Sequence, residues 1–346
     1  MKTFARTNII VLLFVIFVLV SGCQTATPMP TPIPTATTET VPTPTIETPD
    51  TDTVKIAYLS PSLRLPFWRN VSLGIHESAA KADMTVIDLD SRQKANVQLQ
   101  NVQEAINQNV KAIILSPVDS TSAVEVLESA EKAEIPVIIC DIGAKSDRYV
   151  SFVITDNYKG SKDVGEYLAQ VMQQKGWQAD DSALITISLA RQNGRDRTEG
   201  FKDAMITIGS PVVSILESQD YTQAESLLFV EELLANQPNL RALFSEHNEA
   251  TLGAIQALEQ EGKIPEILHV GFDGTPETLQ AVKDGKLLAL AVQQPIRMGR
   301  EAFNATWDYL NGENPPKEIS VPTLLVTQEN INEIKKELEG NVYPKE

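Results

Sequence analysis

Residues 55–68 read KIAYLSPSLRLPFW, and this stretch changes from a strand pattern to a helix pattern. Ile56–Leu59 is a short apolar run of strand type, and it stops at a loop that contains two prolines. Beyond Pro66 the apolar residues recur at the 3.6-residue period of a helix. Proline suits the first helical position because its missing N–H would have no partner there. The stretch therefore predicts a strand, a loop and a helix, and in open parallel sheets ligands bind at such loops.

Trp68 lies in the first turn of the predicted helix and off its apolar stripe. An indole combines a large apolar surface with one polar N–H, so it is costly to leave without a partner. Two interpretations are open from this stretch alone. The ring is a wall of a ligand-binding cleft, or it packs beneath a neighbouring loop.

The same alternation continues along the rest of the chain. Strand-type runs are predicted at 55–60, 84–89, 111–115, 136–140, 150–154, 182–188, 211–217, 241–245, 267–271, 287–292 and 321–326. Strands that alternate with crossover helices form parallel sheets with helices on both faces. About ten such units are too many for one compact sheet. We therefore predict an α/β fold with two Rossmann-like lobes, each a parallel sheet flanked by helices.

The alternation is interrupted at residues 155–158 and 293–295, where strand runs lack a normal tight turn into a helix. We interpret these places, with a third near Pro322, as a three-segment hinge at which the chain crosses between lobes. The predicted lobes are residues 54–155 plus 294–322 (N-terminal) and 156–293 plus 323–346 (C-terminal). Lobes that are joined in this way can close on a cleft between the facing strand ends.

The start of the chain carries a targeting pattern. Lys2 and Arg6 precede an uncharged, mostly apolar run over residues 7–20, which is typical of a secretory signal peptide. Residues 20–23, Val-Ser-Gly-Cys, resemble a bacterial lipobox, which implies that residues 1–22 are removed and that Cys23 becomes the lipidated first residue. An ordinary signal peptide with an incidental cysteine is the alternative. No run of about 18 apolar residues occurs later in the sequence, so no membrane span is predicted there.

Residues 23–53 are rich in threonine and proline and contain few large apolar residues. Such a segment buries too little surface to offset the entropy of ordering it. Proline-rich linkers extend by about 3.1 Å per residue, so about thirty residues reach roughly 90 Å. The segment is predicted to be a tether that holds a folded body away from a lipid surface.

The chain has 346 residues and a formal net charge of −17, and loss of Lys2 and Arg6 with the signal peptide makes the charge −19. So acidic a body repels nucleic-acid phosphates, and no basic patch reverses this, so no nucleic-acid partner is expected. Cys140 is the only cysteine after Cys23, which excludes an intramolecular disulfide in the mature body. At the end of an apolar run, Cys140 is predicted to be a small buried hydrophobe.

Signatures of enzymes are weak. The three histidines have no metal-ligand spacing, and the chain contains neither a G-x-S-x-G motif nor a phosphate-binding glycine loop. We therefore expect no catalysis, no metal and no cofactor.

Polar and aromatic residues recur where predicted strands end. The candidate ligand-binding residues are Phe67, Trp68, Asp141, Arg195, Tyr221, His247, Phe272, Asp273 and Gln293. Flat rings can cover the C–H faces of a small polyhydroxylated ligand, while carboxylates, amides and a guanidinium bind its hydroxyls. A lone histidine such as His247 is more often a structural residue than a ligand-binding one, and Gln293 could instead bond to backbone at the crossing between lobes.

Several of the other candidates also have a structural alternative. Asp141 and Asp273 are typical turn-forming or helix-capping residues, and Phe67 fits the apolar stripe of its helix. Arg195 lies at a predicted helix start, where a cation opposes the helix dipole by roughly 0.3–1 kcal/mol. An ion pair with Glu199 would offset that cost without any ligand.

Six motifs occur together and in order over residues 53–327. They are Leu65-Pro66-Phe67-Trp68, Ser116-Pro117-Val118-Asp119, Ile135-Pro136-Val137-Ile138, Thr155-Asp156-Asn157, Glu199-Gly200-Phe201 and Val270-Gly271-Phe272-Asp273-Gly274-Thr275-Pro276. In these motifs the chain resembles the type 1 periplasmic sugar-binding proteins, and within them the ribose-binding branch. The resemblance implies two lobes around one sugar and a monomeric receptor that serves an ABC importer.

The resemblance also implies roles for matching residues. The aromatic positions that sandwich a sugar fall on Phe67, Trp68, Tyr221 and Phe272. The hydrogen-bonding positions fall on Asp141, Arg195, Asp273 and Gln293.

Three positions depart from the family pattern. Leu65 and His247 each replace an asparagine, and Ile142 replaces the arginine that follows the aspartate. A site that pairs a hydroxyl discriminates strongly, whereas an apolar site does not. The hypothesis is therefore a ligand with fewer hydroxyls towards the N-terminal lobe, or with a deoxy or methyl group there.

Together these features predict an extracytoplasmic solute-binding lipoprotein, anchored to the cell membrane through Cys23, that delivers a sugar or sugar-like molecule to an ABC permease. The alternative is a receptor that presents its ligand to a membrane sensor kinase or chemoreceptor. A transcription regulator with the same ligand-binding fold is disfavoured by the export signal and by the lack of a DNA-binding helix pair.

Overall fold

The structure is a computed structural model, and it describes residues 53–344. The predicted signal peptide, the predicted lipobox with Cys23 and nearly all of the predicted tether lie outside the described residues. The first half of the described chain contains β1 (Lys55–Ser60), α1 (Pro66–Lys81), β2 (Thr85–Asp90), α2 (Ala95–Asn107), β3 (Ala112–Leu115), α3 (Ala123–Lys132), β4 (Val137–Cys140), β5 (Ser151–Thr155) and α4 (Asn157–Gln174). The second half contains β6 (Asp181–Thr186), α5 (Gln192–Ile206), β7 (Val212–Glu217), α6 (Gln223–Asn236), β8 (Leu240–Ser245), α7 (Asn248–Gln260), β9 (Leu268–Phe272), α8 (Pro276–Lys283), β10 (Ala289–Val292), α9 (Pro295–Leu310), β11 (Glu318–Val321), β12 (Leu324–Thr327) and α10 (Lys335–Asn341).

The described strands form two six-stranded sheets with the same internal order. The first sheet is β11-β5-β4-β3-β1-β2, and the second is β12-β10-β9-β8-β6-β7. All pairings are parallel except that of β12 with β10. Two parallel sheets of matching order confirm the predicted fold class.

Two helices connect the halves. Helix α4 follows β5 of the first sheet but packs in the core of the second, where Val164 and Leu168 contact the cluster around Phe244. Helix α9 follows β10 of the second sheet but packs in the core of the first, through Met298 and Phe303. The chain therefore changes sheet after Thr155 and after Val292, close to the two predicted crossings.

The predicted single strand at 321–326 is wrong. The chain forms β11 in the first sheet and β12 in the second, separated by Pro322 and Thr323. Proline lacks the N–H that a continuing ladder needs, so the break falls there. The lobe limits 54–155 plus 294–322 and 156–293 plus 323–346 are compatible with these changes of sheet and stay a prediction.

Each sheet is covered on both faces, as strands that are apolar on both sides require. In β1, Ile56 and Tyr58 pack towards α1 and α9, whereas Ala57 and Leu59 pack towards α2 and α3. Cys140 is fully buried in the first of these clusters, as predicted. Over residues 53–344, no helix has both the length and the apolarity that a membrane crossing requires.

Candidate functional site

A cavity lies where the carboxyl ends of the two sheets face each other. It encloses about 580 Å³, including the solvent space at its mouth, which is a usual size for a small-molecule pocket. It is lined by Leu65, Pro66, Phe67, Trp68, Asp141, Ile187, Arg191, Asn193, Arg197, Tyr221, His247, Asn248, Glu249, Asp273 and Gln293. The lining includes seven of the nine predicted residues, and the two that it lacks are Arg195 and Phe272.

The wall from the first sheet is mostly apolar. Leu65 caps α1 without a side-chain hydrogen bond, and Pro66 is at the first helical position, as predicted. The rings of Phe67 and Trp68 contact each other edge to face, with centroids 4.8 Å apart. Trp68 is only 5% exposed and joins the hydrophobic core as well as the cavity, so both interpretations of this indole hold in part.

Asp141 is the one ionisable group on this wall. It follows β4 with a φ of 72°, and its N–H donates to the carbonyl of Val153 at 2.8 Å. Its Oδ2 accepts from Asn193 Nδ2 at 3.4 Å, while its buried Oδ1 has no hydrogen-bond partner within the described structure. Burial raises the pKa of Asp141 to about 6, against the attraction of the Arg197 guanidinium. The free oxygen is an acceptor available to a ligand hydroxyl.

Two arginines line the cavity, Arg191 and Arg197, and Arg197 is the more buried of the two. Its Nε donates to Asn157 Oδ1 at 2.9 Å, and its Nη1 donates to the carbonyl of Glu246 at 2.6 Å. Its guanidinium carbon lies 3.9 Å from the ring centroid of Phe272, which is fully buried beneath it. Phe272 therefore supports the cation from below and does not itself face the cavity.

Arg195 points elsewhere. Its guanidinium donates to the carbonyl of Leu189 and to Gln192 Oε1, both at 2.7 Å. Helix α5 begins at Gln192, three residues before Arg195, which was predicted to lie at the helix start, so both arginines lie within the helix. Residues two apart are about 200° apart around a helix, so the two cannot face the same cavity. Helical periodicity would have favoured Arg197, which lies on the same face as the buried Phe201 and Ala204.

Asp273 and Gln293 form the far side of the site. Asp273 follows β9 with a φ of 72°, and its N–H donates to the carbonyl of Ala291 at 3.0 Å. Gln293 Nε2 donates to Asp273 Oδ1, and the buried Gln293 Oε1 has no hydrogen-bond partner among the described residues. Burial raises the pKa of Asp273, while Arg197, 4.0 Å away, lowers it. The helix-capping alternative does not hold for Asp273, since Thr275 caps α8.

His247 presents a neutral ring. Its Nδ1 accepts from the N–H of Ala250 at 3.3 Å, so the proton is on Nε2, which donates to Ser218 Oγ at 3.1 Å. Burial and the nearby arginines lower its pKa to about 3. The ring centroid is 5.3 Å from that of Tyr221. His247 therefore caps α7 and also lines the cavity, with both nitrogens already occupied.

A buried carboxyl lies behind the cavity and was missed by the sequence reasoning. Glu246 is fully buried and receives hydrogen bonds from the hydroxyls of Thr186 and Thr198 and the N–H of Ile187, at 2.8–3.2 Å. Burial raises its pKa to about 8, against the attraction of Arg197. Its position directly before His247, at the end of a strand run, was the available signal.

The lining can hold a small polar molecule. Acceptors are available at Asp141 and Gln293, and Arg197 provides a cation beside them. The lining residues include no serine, cysteine or lysine nucleophile. Over residues 53–344, no group of three or more histidine, cysteine, aspartate or glutamate side chains could hold a metal ion.

Sequence comparison gives clear relatives. A family model described as a periplasmic binding protein domain matches residues 56–314. The ribose import binding protein RbsB of Bacillus subtilis (strain 168) is 32% identical over 267 residues, which are 77% of this chain and 85% of that protein. The protein of the same name from Escherichia coli (strain K12) is 31% identical over 276 residues, 79% of this chain and 90% of that protein.

Solved structures agree with the fold and the relatives. An ABC transporter solute-binding protein from Bacillus halodurans C-125 with bound myo-inositol has 28% identity and a TM-score of 0.76, covering 82% of this chain and 98% of that one. A carbohydrate transporter solute-binding protein from Agrobacterium radiobacter in complex with D-arabinose has 25% identity and a TM-score of 0.78, covering 84% and 100%. The two-sheet fold and the motif resemblance are thus confirmed, and the chain belongs to the periplasmic binding protein family, a family of solute-binding receptors.

Proposed function

We propose that this chain is an extracytoplasmic receptor that captures a sugar or sugar-like molecule between two lobes and delivers it to an ABC permease. The observation that carries the proposal is the cavity between the two sheets, in which Asp141 Oδ1 and Gln293 Oε1 are buried and have no hydrogen-bond partner among residues 53–344. A buried polar atom without a partner is costly, so a ligand that supplies two hydroxyl donors would stabilise this arrangement.

The apolar wall and the polar wall of the cavity contribute differently to binding. The rings of Phe67 and Trp68 cover a C–H face, and Arg197 with Asp273 forms charge-assisted hydrogen bonds to hydroxyls. Closure of the lobes removes water from these contacts and so strengthens them. The ligand shifts the lobes towards the closed form because it contacts both walls only there. No reaction is catalysed in this scheme, and no cofactor takes part.

The ligand is expected to carry an apolar group towards the first sheet. Leu65 lines the cavity at a position where the family pattern has an asparagine, which supports this expectation. Ile142 is fully buried in the core of the first sheet and does not line the cavity. Its side chain fills the core and supplies no guanidinium to the cleft. A deoxy or methyl sugar fits such a wall better than a fully hydroxylated one.

The cellular setting is part of the same proposal. Residues 1–22 are a signal peptide, residues 23–53 are a tether, and a lipid on Cys23 anchors the chain to the outer face of the cell membrane. The receptor is monomeric. The composition and the order of these segments support this arrangement.

Thermal-shift and calorimetric titration with matched sugar pairs tests the proposed ligand class. D-Fucose against D-galactose, and 5-deoxy-D-ribose against D-ribose, differ by one hydroxyl within each pair. A ligand at a hundred times its dissociation constant adds about 2.7 kcal/mol to the free energy of unfolding. We expect the deoxy member of a pair to give the larger stabilisation, and Leu65→Asn to reduce that preference.

Two results would contradict the proposal at different levels. Tight binding of D-ribose with no gain for the deoxy sugar would overturn the apolar wall but leave the receptor function. A lack of stabilisation by pentoses, hexoses, deoxy- and methyl-sugars, polyols and nucleosides alike would overturn the sugar-receptor function itself.

A further inference from the structure

Arg191 connects the two halves of the molecule. It lies between β6 and α5 of the second sheet, directly before α5, and is 8% exposed. Its Nε donates to the carbonyl of Val118 at 3.1 Å, and its Nη2 donates to Gln93 Oε1 at 3.1 Å. Val118 follows β3 and Gln93 follows β2, so both acceptors belong to loops of the first sheet. One guanidinium from the second half thus bonds to two separate loops of the first.

The same side chain separates two spaces. Arg191 and Tyr221 line the cavity, and they also line an outer groove of about 990 Å³ that is open to solvent. The guanidinium carbon of Arg191 is 5.4 Å from the ring centroid of Tyr221. The outer groove has walls from both halves, including Arg64 and Asp119 from the first and Glu217 and Asp220 from the second. Arg191 and Tyr221 therefore form a partition between the inner cavity and this groove.

A second, longer hydrogen bond joins the two halves at the start of α5. Asn193 Nδ2 donates to Asp141 Oδ2 at 3.4 Å, again from the second half to the first. Asp141 is itself a cavity residue, so a ligand competes for or shares this contact. A ligand in the cavity does not compete in this way for the hydrogen bonds of Arg191. Neither Gln93 nor Val118, whose backbone carbonyl is the acceptor, is among the cavity-lining residues.

We propose that Arg191 is a latch: its bonds to Val118 and Gln93 hold the lobes closed and so slow the release of a bound solute. The inference rests on the proposed lobe closure. It assigns to Arg191 a role in stabilising the closed form, beyond any contact with the ligand. Both bonds involve a cation, and such hydrogen bonds are stronger than neutral ones. These hydrogen bonds must break before the lobes separate, so removing them is expected mainly to raise the dissociation rate.

The closed population can be measured without any ligand. Gln100 on α2 and Glu231 on α6 are exposed, and each lies on a different half. Replacing both by cysteine, with Cys23→Ser in the full-length chain, allows two spin labels whose separation reports lobe closure. The wild-type sequence should show a short-distance component that Arg191→Ala and Gln93→Ala both reduce. Distance distributions that are the same in all three proteins would overturn the latch.

Matched variants separate the latch from a general charge effect. Arg64→Ala removes an equal charge from the same outer groove, and Arg64 has no hydrogen bond from its guanidinium to the second half among the described contacts. Arg191→Lys keeps the charge but loses the planar fork that serves two acceptors. We expect Arg191→Ala and Arg191→Lys to reduce the short-distance component, and Arg64→Ala to leave it unchanged. An equal reduction by Arg64→Ala would show that charge alone is responsible.

Stopped-flow release of D-fucose and D-ribose gives the kinetic test. Arg191→Ala should raise the dissociation rate about 10- to 100-fold, and Gln93→Ala about 3- to 10-fold, with association rates changed less than threefold. The double variant should be no faster than Arg191→Ala alone, because Gln93 acts only through Arg191. Additive effects would contradict the latch. If neither sugar binds the wild-type chain but the distance changes occur, the ligand proposal fails and the latch stands.

Discussion

Asp141 and Asp273 occupy matching places in the two sheets, and their surroundings differ. Each follows the third strand of its sheet order with a φ of 72°, and each N–H bonds to the adjacent strand. Around Asp141 the first sheet supplies Leu65, Phe67 and Trp68, whereas around Asp273 the second sheet supplies Arg197 and other polar groups. In the proposed binding mode, the first half stacks against the ligand and supplies one acceptor at Asp141, while the second half supplies most of the groups that bind its hydroxyls.

The same contrast continues behind the cavity walls. In the first sheet, β1 and β3 are joined below the site by Tyr58 and Ser116, whose hydroxyl oxygens are 3.3 Å apart. In the second sheet, the matching strand β6 contributes Thr186, which bonds to Glu246 beyond β8. A buried carboxyl is costly unless hydrogen-bonded. Behind the cavity wall, the second half therefore places a buried carboxyl near Arg197, whereas the first half has two hydroxyls at the matching position.

The largest expected effect comes from a substitution in the polar wall of the cavity. Arg197→Met should weaken sugar binding about 100-fold or more, since it removes the buried cation that Asp273 and Glu246 face. Arg195→Ala, two residues earlier, should change binding less than threefold, because its guanidinium bonds to Leu189 and Gln192. Isothermal titration of D-fucose and D-ribose measures both. A larger loss with Arg195→Ala would reverse the assignment.

A smaller effect compares the two matching carboxylates directly. Asp273→Asn should weaken binding more than Asp141→Asn, because the Asp273 carboxylate lies 4.0 Å from Arg197 and accepts from Gln293, whereas among the described residues the Asp141 side chain accepts a hydrogen bond only from Asn193. We expect about 10-fold for Asp141→Asn, the usual loss for one charged hydrogen bond. Equal losses, measured by the same titrations, would mean that the two walls recognise hydroxyls alike. Circular dichroism melting checks that both variants remain folded.

The third prediction concerns stability against pH. Glu246 has a pKa raised from 4.5 to about 8 in the folded protein, so the folded state holds its proton more tightly than the unfolded state. Its contribution to stability is full below about pH 4.5 and is lost as the pH rises through about 8. Glu246→Gln should therefore gain stability relative to the wild type over that interval, as urea unfolding at several pH values would show.

The exposed Glu231→Gln is the matched control for this titration. Glu231 lies on α6 in the same half, away from the cavity lining. The same unfolding series on this variant controls for the loss of one surface carboxylate from that half. A stability difference for Glu246→Gln that does not change with pH would show that Glu246 ionises normally.

Most of the site could be predicted because it lies where strand runs end, and such runs are visible in the sequence. Asp141, Asp273 and Gln293 were found in this way. Arg197 was missed because the search followed the ends of strand runs, whereas Arg197 lies inside α5 on the face that it shares with the buried Phe201 and Ala204. Phe272 is a strand residue whose direction, inward under Arg197, depends on packing that no local pattern carries.

Local patterns alone determined the alternating elements, the two-sheet class, the acidic charge and the candidate residues, since each depends on neighbours along the chain. The tertiary structure decided which residues meet. Arg191 reaches Gln93 across 98 positions of sequence, and β11 and β12 join different sheets although two residues separate them. The physical reason is that hydrogen-bond partners and sheet membership are set by contacts between distant segments, which hydrophobic period and turn residues do not encode.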